Sequence, residues 1–221
     1  MSELIKEAEL QADESNQFIN KTHWYDGWFY DRFIAPNQDR LFSQIKNIIE
    51  PDKNIIDIGC GTGRFEFFIA DKCKSVFGLD ISQRNIERAN LNLQKNQVNN
   101  ISFNHKSIEE IKAEGKLYFE YAVMTYVIHE VDETERVKLL NDISSIADKV
   151  IIGEYLVPRT SGIWNTLNEV VEFAAGKEHY HNFKSFVKNG GIAGLAKQSE
   201  LKIIKEITNQ PMTSQIVILS K

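Results

Sequence analysis

The chain has 221 residues, 42% hydrophobic and 26% charged, with 26 basic against 31 acidic residues and a net charge of −5. That apolar share can bury a core, which excludes intrinsic disorder for most of the chain, and the acidic balance argues against a strong nucleic-acid binder. Twelve glycines and four prolines are too few for collagen-like tracts or low-complexity tails.

Residues 1–36 read as a helical, aromatic-rich segment. Ala8 and Ala12 follow Leu4 at helical spacing, and the run His23–Tyr30 carries Trp24, Tyr25, Trp28, Phe29 and Tyr30 before Pro36 ends it. Rings this dense mean either packing or a lid over a pocket, with Tyr25 the candidate to reach a ligand or substrate. From Asn37 to Glu50, Leu41, Phe42, Ile45, Ile48 and Ile49 mark one apolar helix face.

Beyond Pro51 short apolar strands alternate with helices. The strands are Asn54–Ile58, Ser75–Asp80, Ile101–Phe103, Tyr121–Met124 and Val150–Ile152; the helices are Arg64–Lys72, Gln83–Asn96, Ile108–Lys112 and Glu133–Ala147. Alternation of this kind predicts parallel strands joined by right-handed crossovers, with helices on both faces. After Pro158 the rhythm breaks. A helix near Ile163–Ala175 leads to the polar run Glu178–His181, then Phe183–Lys188 and Gly190-Gly191. Leu201–Ile207 and Gln215–Leu219 close the chain as an antiparallel hairpin. The expected fold is α/β, a doubly wound, seven-stranded, mostly parallel sheet with an antiparallel last strand. It is read as a single domain over 1–221, with a lid segment (1–36), a ligand-binding core (37–155), a substrate-side insertion (156–200) and a terminal hairpin (201–221).

Cys60 and Cys73 are the only cysteines and form no C-x-x-C pair. Neither a disulfide framework nor a cysteine zinc site is supported, so reduced thiols and a cytoplasmic protein are expected. No apolar run approaches the roughly 18 residues of a membrane span, and no signal-peptide pattern opens the chain.

The informative segment is Asp57-Ile58-Gly59-Cys60-Gly61-Thr62-Gly63, which follows the first strand and opens a helix. Glycine belongs where the backbone takes φ > 0 or a ligand comes close, and the helix start offers unpaired N–H groups to a carboxylate or phosphate. Asp57 can accept from an ammonium group or orient the loop amides. Asp80 ends the second strand 21 residues beyond Gly59, where a carboxylate can accept from ribose hydroxyls. A dinucleotide fingerprint needs its third glycine where Arg64 stands, and Asp57 would repel a pyrophosphate.

These residues resemble the class I S-adenosylmethionine-dependent methyltransferases, a family with a Rossmann-like sheet. Asp57–Gly63 is similar to their first motif and Gly78-Leu79-Asp80-Ile81-Ser82 to their second; the resemblance covers about residues 37–155. It implies S-adenosylmethionine as cofactor, with Gly59, Cys60, Gly61 and Gly63 at the methionine part, Asp80 at the ribose and Ile81 against adenine. Where the family often has an adenine-binding Asp after the third strand, this chain has Ser107. Its hydroxyl and the Ile108 amide can take that place, or Ser107 with Glu110 is a helix capping box. Residues past the fourth strand usually face the sulfonium and the acceptor, which nominates Thr125, Tyr126 and His129.

His129 is the candidate general base, with a bland wall or helix-cap histidine as the alternative, and it is also a candidate substrate contact. Tyr180 is a second substrate candidate, from the late insertion. Glu154 can be a pocket acid or a loop charge. Glu178, His179 and His181 lack a partner at ligand spacing and read as a solvated connection, so no metal is expected. The resemblance implies methyl transfer to a small-molecule acceptor, with no nucleic acid and no membrane among the expected partners. Alternatives are methylation of protein or nucleic acid, a nicotinamide-dependent oxidoreductase, and a cofactor-binding module without catalysis.

Overall fold

The computed structural model describes residues 35–115, 117–160, 162–210 and 212–221. The chain divides into two units at Arg40 and Leu41, and the architecture below is that of the second. The aromatic run and Tyr25 lie outside the described residues.

In chain order the elements are α1 (Ala35–Ile48), β1 (Asn54–Ile58), α2 (Arg64–Ile69), β2 (Ser75–Asp80), α3 (Gln83–Asn96), β3 (Ile101–His105), α4 (Ile108–Glu114) and β4 (Phe119–Thr125). They continue with α5 (Arg136–Ser144), β5 (Ala147–Tyr155), α6 (Ile163–Ala175), α7 (Lys177–Lys188), α8 (Gly191–Gln198), β6 (Lys202–Thr208) and β7 (Ser214–Ser220). The seven strands run in the order β3-β2-β1-β4-β5-β7-β6, and β7 is antiparallel to both β5 and β6. The pairs β1 with β2, β1 with β4, β2 with β3 and β4 with β5 are parallel.

Because side chains alternate across a strand, the apolar runs feed two cores at once. Ile56, Ala122 and Val150 share a register and sit in one core, with Phe186, Ile192 and Leu195. Ile55, Tyr121, Val123 and Ile151 face the other, with Leu41, Ile45, Phe65 and Ile69. Each fully buried Ile or Leu contributes about 1.5–3 kcal/mol. Gly153 lets this second layer close up, since a Cβ there would stand 2.7 Å from Leu41 Cδ2.

Several boundaries differ from those expected. Strands β3, β4 and β5 run further because parallel pairing carries the register past their apolar centres, from Phe119 opposite Ala147 to Thr125 opposite Gly153. The helix expected over Arg64–Lys72 stops at Ile69, where the Lys72 and Cys73 amides turn back onto the Ile69 and Ala70 carbonyls. The polar run Glu178–His181 is not a connection but the first turn of α7, whose buried side chains include Phe183 and Phe186. Helix α8 was hidden by its glycines, although Ile192, Leu195 and Ala196 form a buried face. Among the described residues no helix is long and apolar enough to cross a membrane.

The sheet order reverses between β1 and β4. Their C-terminal loops diverge to opposite sides, which opens the crevice where doubly wound sheets bind ligands.

Candidate active site

The loop after β1 is tied to the end of β2. The Gly59 and Cys60 amides donate to Leu79 O at 2.8 and 2.9 Å, and the Gly61 amide donates to Asp80 Oδ2 at 2.9 Å. Gly63 caps α2 at φ 88°, and a Cβ there would stand 2.4 Å from Phe103 Cζ; both demands require glycine. At Gly59 a Cβ would stand 2.4 Å from Val127 Cγ2, so the glycine loop meets the loop after β4 at this point. A Cβ on Gly61 would meet nothing within 4 Å, which leaves a ligand room beside the backbone.

Three acidic groups surround the base of this loop. Asp57 and Glu66 are buried side by side, and their carboxyls hydrogen-bond to each other through a shared proton. Burial, with the Asp80 charge adding, pushes the Asp57 carboxyl up to about 8. Burial, then the Asp57 charge, holds Glu66 well above the usual carboxylate range. Asp80 is arranged differently: Oδ1 accepts from the Ser82 amide at 2.7 Å, and Oδ2 accepts from Gly61 and from Asn85 Nδ2 at 3.3 Å. An ionised carboxylate has about four acceptor positions, so one stays for a further donor. Cys60 is buried, and burial followed by the Glu66 and Asp57 charges raises its thiol far above neutrality, which leaves it inert.

Beyond β2 the side chain of Ile81 is 79% exposed, an apolar surface at the mouth of the crevice. Ser107 forms the capping box of α4: its Oγ accepts from the Glu110 amide, and its own amide donates to Glu110 Oε2 at 2.7 Å. The Ile108 side chain is buried in the core, so only its backbone can meet a ligand. Thr125 ends β4. Tyr126 follows at φ 56°, a left-handed conformation costly for tyrosine, with its amide donating to Gly153 O at 2.8 Å and its ring 5.4 Å from Tyr155. Burial pushes its hydroxyl up to about 12.

His129 lies deeper, 2% exposed, with Nδ1 at 3.0 and 2.9 Å from the two oxygens of Glu154, itself fully buried. Its Nε2 faces Glu172 Oε2 at 3.5 Å, and His179 Nε2 lies 2.5 Å from that same oxygen. Tyr155 donates to Glu172 Oε1 at 2.5 Å. Burial works to lower the His129 pKa, but Glu154 and then Glu172 outweigh it and push it up to about 10. Burial opposes the ionisation of Glu172, yet the two imidazoles hold it well below the usual carboxylate range. Arg136 clasps this loop from behind, its Nε donating to Val131 O at 2.9 Å and its guanidinium reaching Asn182 O at 2.7 Å.

A family model described as a methyltransferase domain matches residues 49–191. The chain belongs to that methyltransferase family. S-adenosylmethionine is the cofactor that goes with it. The residues fit such a group: the space beside Gly61 is open along the loop amides, acidic Asp57 lies at the base of the loop, and Asp80 keeps an acceptor position for a hydroxyl.

Among its relatives, an uncharacterized RNA methyltransferase of Mycoplasma mobile is 31% identical over 84 residues, 38% of this chain and 23% of that protein. A 23S rRNA (uracil(1939)-C(5))-methyltransferase of Aliivibrio fischeri is 33% identical over 83 residues, 35% of this chain and 19% of that one. The chain thus spans about a fifth to a quarter of the length of these curated relatives. The fold is that of magnesium protoporphyrin IX methyltransferase from Synechocystis PCC 6803 with bound S-adenosylhomocysteine, at a TM-score of 0.65 and 18% identity over 94% of this chain and 95% of that one.

Within this methyltransferase domain the nominated cofactor residues Asp57, Gly59, Cys60, Gly61, Gly63 and Asp80 come together around one loop. Tyr180 does not join the His129 cluster; its hydroxyl donates to Glu169 at 2.8 Å, beside Lys184. The neighbouring His179 enters instead. Glu154, Tyr155 and Glu172 were not singled out as a set from the sequence, because Glu154 and Tyr155 close β5 while Glu172 stands on α6, 17 or more positions further on. Only one signal was available: His179, Phe183 and Phe186 share a helical face.

Proposed function

We propose that the chain transfers a methyl group from S-adenosylmethionine to a small-molecule acceptor bound beyond the ends of β4 and β5. When bound, the sulfonium supplies an electrophilic methyl carbon, and the protein supplies alignment, which can be worth about 7–11 kcal/mol. Asp57 would accept from the α-ammonium, the glycine loop would hold the methionine part, Asp80 would accept from the ribose with its remaining position, and Ile81 would cover adenine. Ser107 and the Ile108 amide stand nearest the adenine edge, and Thr125 and Tyr126 wall the sulfonium side.

The observation that carries the small-acceptor reading is the buried polar cluster past β4. His129, Glu154 and Glu172 are 2%, 0% and 4% exposed. Groups so enclosed suit the polar end of a small molecule better than a polymer chain. His129 would serve as a base only after giving up the proton it shares with these carboxylates.

A second reading, methylation of an RNA base, is favoured by the names of the curated relatives. Against it stand the net charge of −5 and the small part of those proteins that the match spans. The test is calorimetry of the purified chain with S-adenosylmethionine and S-adenosylhomocysteine, followed by methyl-labelled cofactor offered to a metabolite panel and to total RNA. Label in a metabolite supports the proposal, label in RNA supports the second reading, and absence of cofactor uptake overturns both.

A further inference from the structure

His129, Glu172 and His179 do more than form an ion-pair chain. The two imidazole rings stand 5.6 Å apart at 83°, and both direct Nε2 to the same oxygen, Glu172 Oε2, at 3.5 and 2.5 Å. That oxygen is buried, and both imidazoles pair with it. Its companion Oε1 is taken by the Tyr155 hydroxyl, which fixes the carboxylate and turns Oε2 toward the imidazoles. Glu130 Oε1 lies 4.0 Å from His129 Nε2 and 3.9 Å from His179 Nε2. The donor atoms of His129, Glu130 and His179 fall within 4.8 Å of one another.

We infer that His129 Nε2, His179 Nε2 and Glu172 Oε2, with Glu130 closing the solvent side, form a binding site for a first-row divalent transition metal of the zinc class. Two imidazoles and one carboxylate are a zinc donor set that keeps a position open, and metal–ligand bonds of roughly 2.0–2.2 Å set donor atoms roughly 3.3 Å apart. His129 Nε2 stands 3.5 Å from Glu172 Oε2, near that value; His179 Nε2, at 2.5 Å, would move back by roughly 0.8 Å to admit the ion, and Glu130 Oε1, at 3.9 and 4.0 Å, would move in. The outer shell fits as well. A metal-bound histidine donates its other N–H to a carboxylate or carbonyl, which fixes the tautomer; Glu154 holds His129 Nδ1 in this way, 2.9 Å from its nearer oxygen. Entry is from the side of Glu130 and His179, whose side chains are 52% and 24% exposed.

The site goes beyond the methyl-transfer reading but shares His129 and Glu172 with it: with the ion bound, His129 is a ligand and not the base, and the ion's open position takes the polar end of the acceptor. Binding exchanges the protons on the two Nε2 atoms for the ion, so each metal taken up releases protons to solvent.

The test uses the full chain, stripped with a chelator and dialysed, then titrated with ZnCl2 and separately with MgCl2 by calorimetry. CoCl2 serves as a spectroscopic probe on the wild type, needing no variant. One zinc ion per chain, visible cobalt ligand-field bands, and at least a 100-fold loss of zinc affinity in His179→Gln, with affinity kept in His181→Gln on the same helix, are expected. Absence of zinc heat and cobalt bands in the wild type, equal zinc binding by the two variants, or preferential binding of MgCl2 would each overturn the site. None of these results depends on whether S-adenosylmethionine binds, so failure here leaves the methyltransferase reading standing.

Discussion

The Gly61 amide donates to Asp80 Oδ2 at 2.9 Å, the one side-chain bond among the three that join the turn after β1 to the end of β2. The carboxylate that is to meet a ribose therefore also sets the shape of the loop that is to hold the methionine part. The two halves of the proposed cofactor site are mechanically one.

Asp80→Ala removes the acceptor for the Gly61 and Ser82 amides as well as the proposed ribose partner. S-adenosylmethionine affinity should fall by about 1.5–3 kcal/mol, the scale of hydrogen bonds to a charged group. Calorimetry on wild type and variant measures it; equal affinities would remove Asp80 from the site.

Gly61→Ala and Gly63→Ala should fail differently. At Gly63 the new methyl meets Phe103 at 2.4 Å and the backbone sits at φ 88°, so thermal unfolding should show a loss of about 2–4 kcal/mol. At Gly61 nothing lies within 4 Å, so the cost is about 1–2 kcal/mol from φ 56° alone. Cofactor affinity should nevertheless drop, because the methyl fills the space the ligand needs. A Gly61→Ala protein with unchanged affinity would contradict the approach assigned to this loop.

Asp57 gives the apo protein a pH dependence of definite sign. Its carboxyl titrates near 3.8 in an unfolded chain and at about 8 when buried in the fold. Between those values the folded state holds the extra proton, so its stabilising effect is complete below the lower value and is lost as pH rises through the upper one. The melting temperature should decline from about pH 5 to about pH 8.5, and Asp57→Asn should make that decline shallower, with Glu66 supplying what is left. An unaltered slope in the variant would assign the titration elsewhere.

Glu154 touches neither the glycine loop nor Asp80, yet it sets the direction of His129 through both of its oxygens. Glu154→Gln should lower kcat by roughly 10–100-fold, the usual effect of losing an orienting carboxylate, while the KM for S-adenosylmethionine stays within about twofold. Glu154→Ala, which strands a buried imidazolium, should also destabilise the fold by about 3–5 kcal/mol. Methyl-transfer kinetics and thermal melts separate the two effects.

Much of the fold was legible because its signals are local. Strands β1 and β2 and helix α3 stand where apolar runs and the glycine turn predict them. The antiparallel close of β6 and β7 followed from the short connection between them. Helix α7 was misread because Glu178–His181 is polar, and its one apolar stripe is set by what it packs against rather than by its first turn. Ser107 illustrates a residue with two local readings: the structure shows the capping box, and the adenine role remains a proposal.

By itself the chain's order of residues determined the glycine loop and its two flanking carboxylates, since a turn and the strands beside it bring near neighbours together whatever surrounds them. Only the tertiary structure decided that His129 meets Glu154 from β5, Glu172 from α6 and His179 from α7. No spacing rule joins residues 25 and more positions apart on different elements. Their meeting depends on how two helices pack over the end of the sheet, and burial then compels charges placed so close to pair.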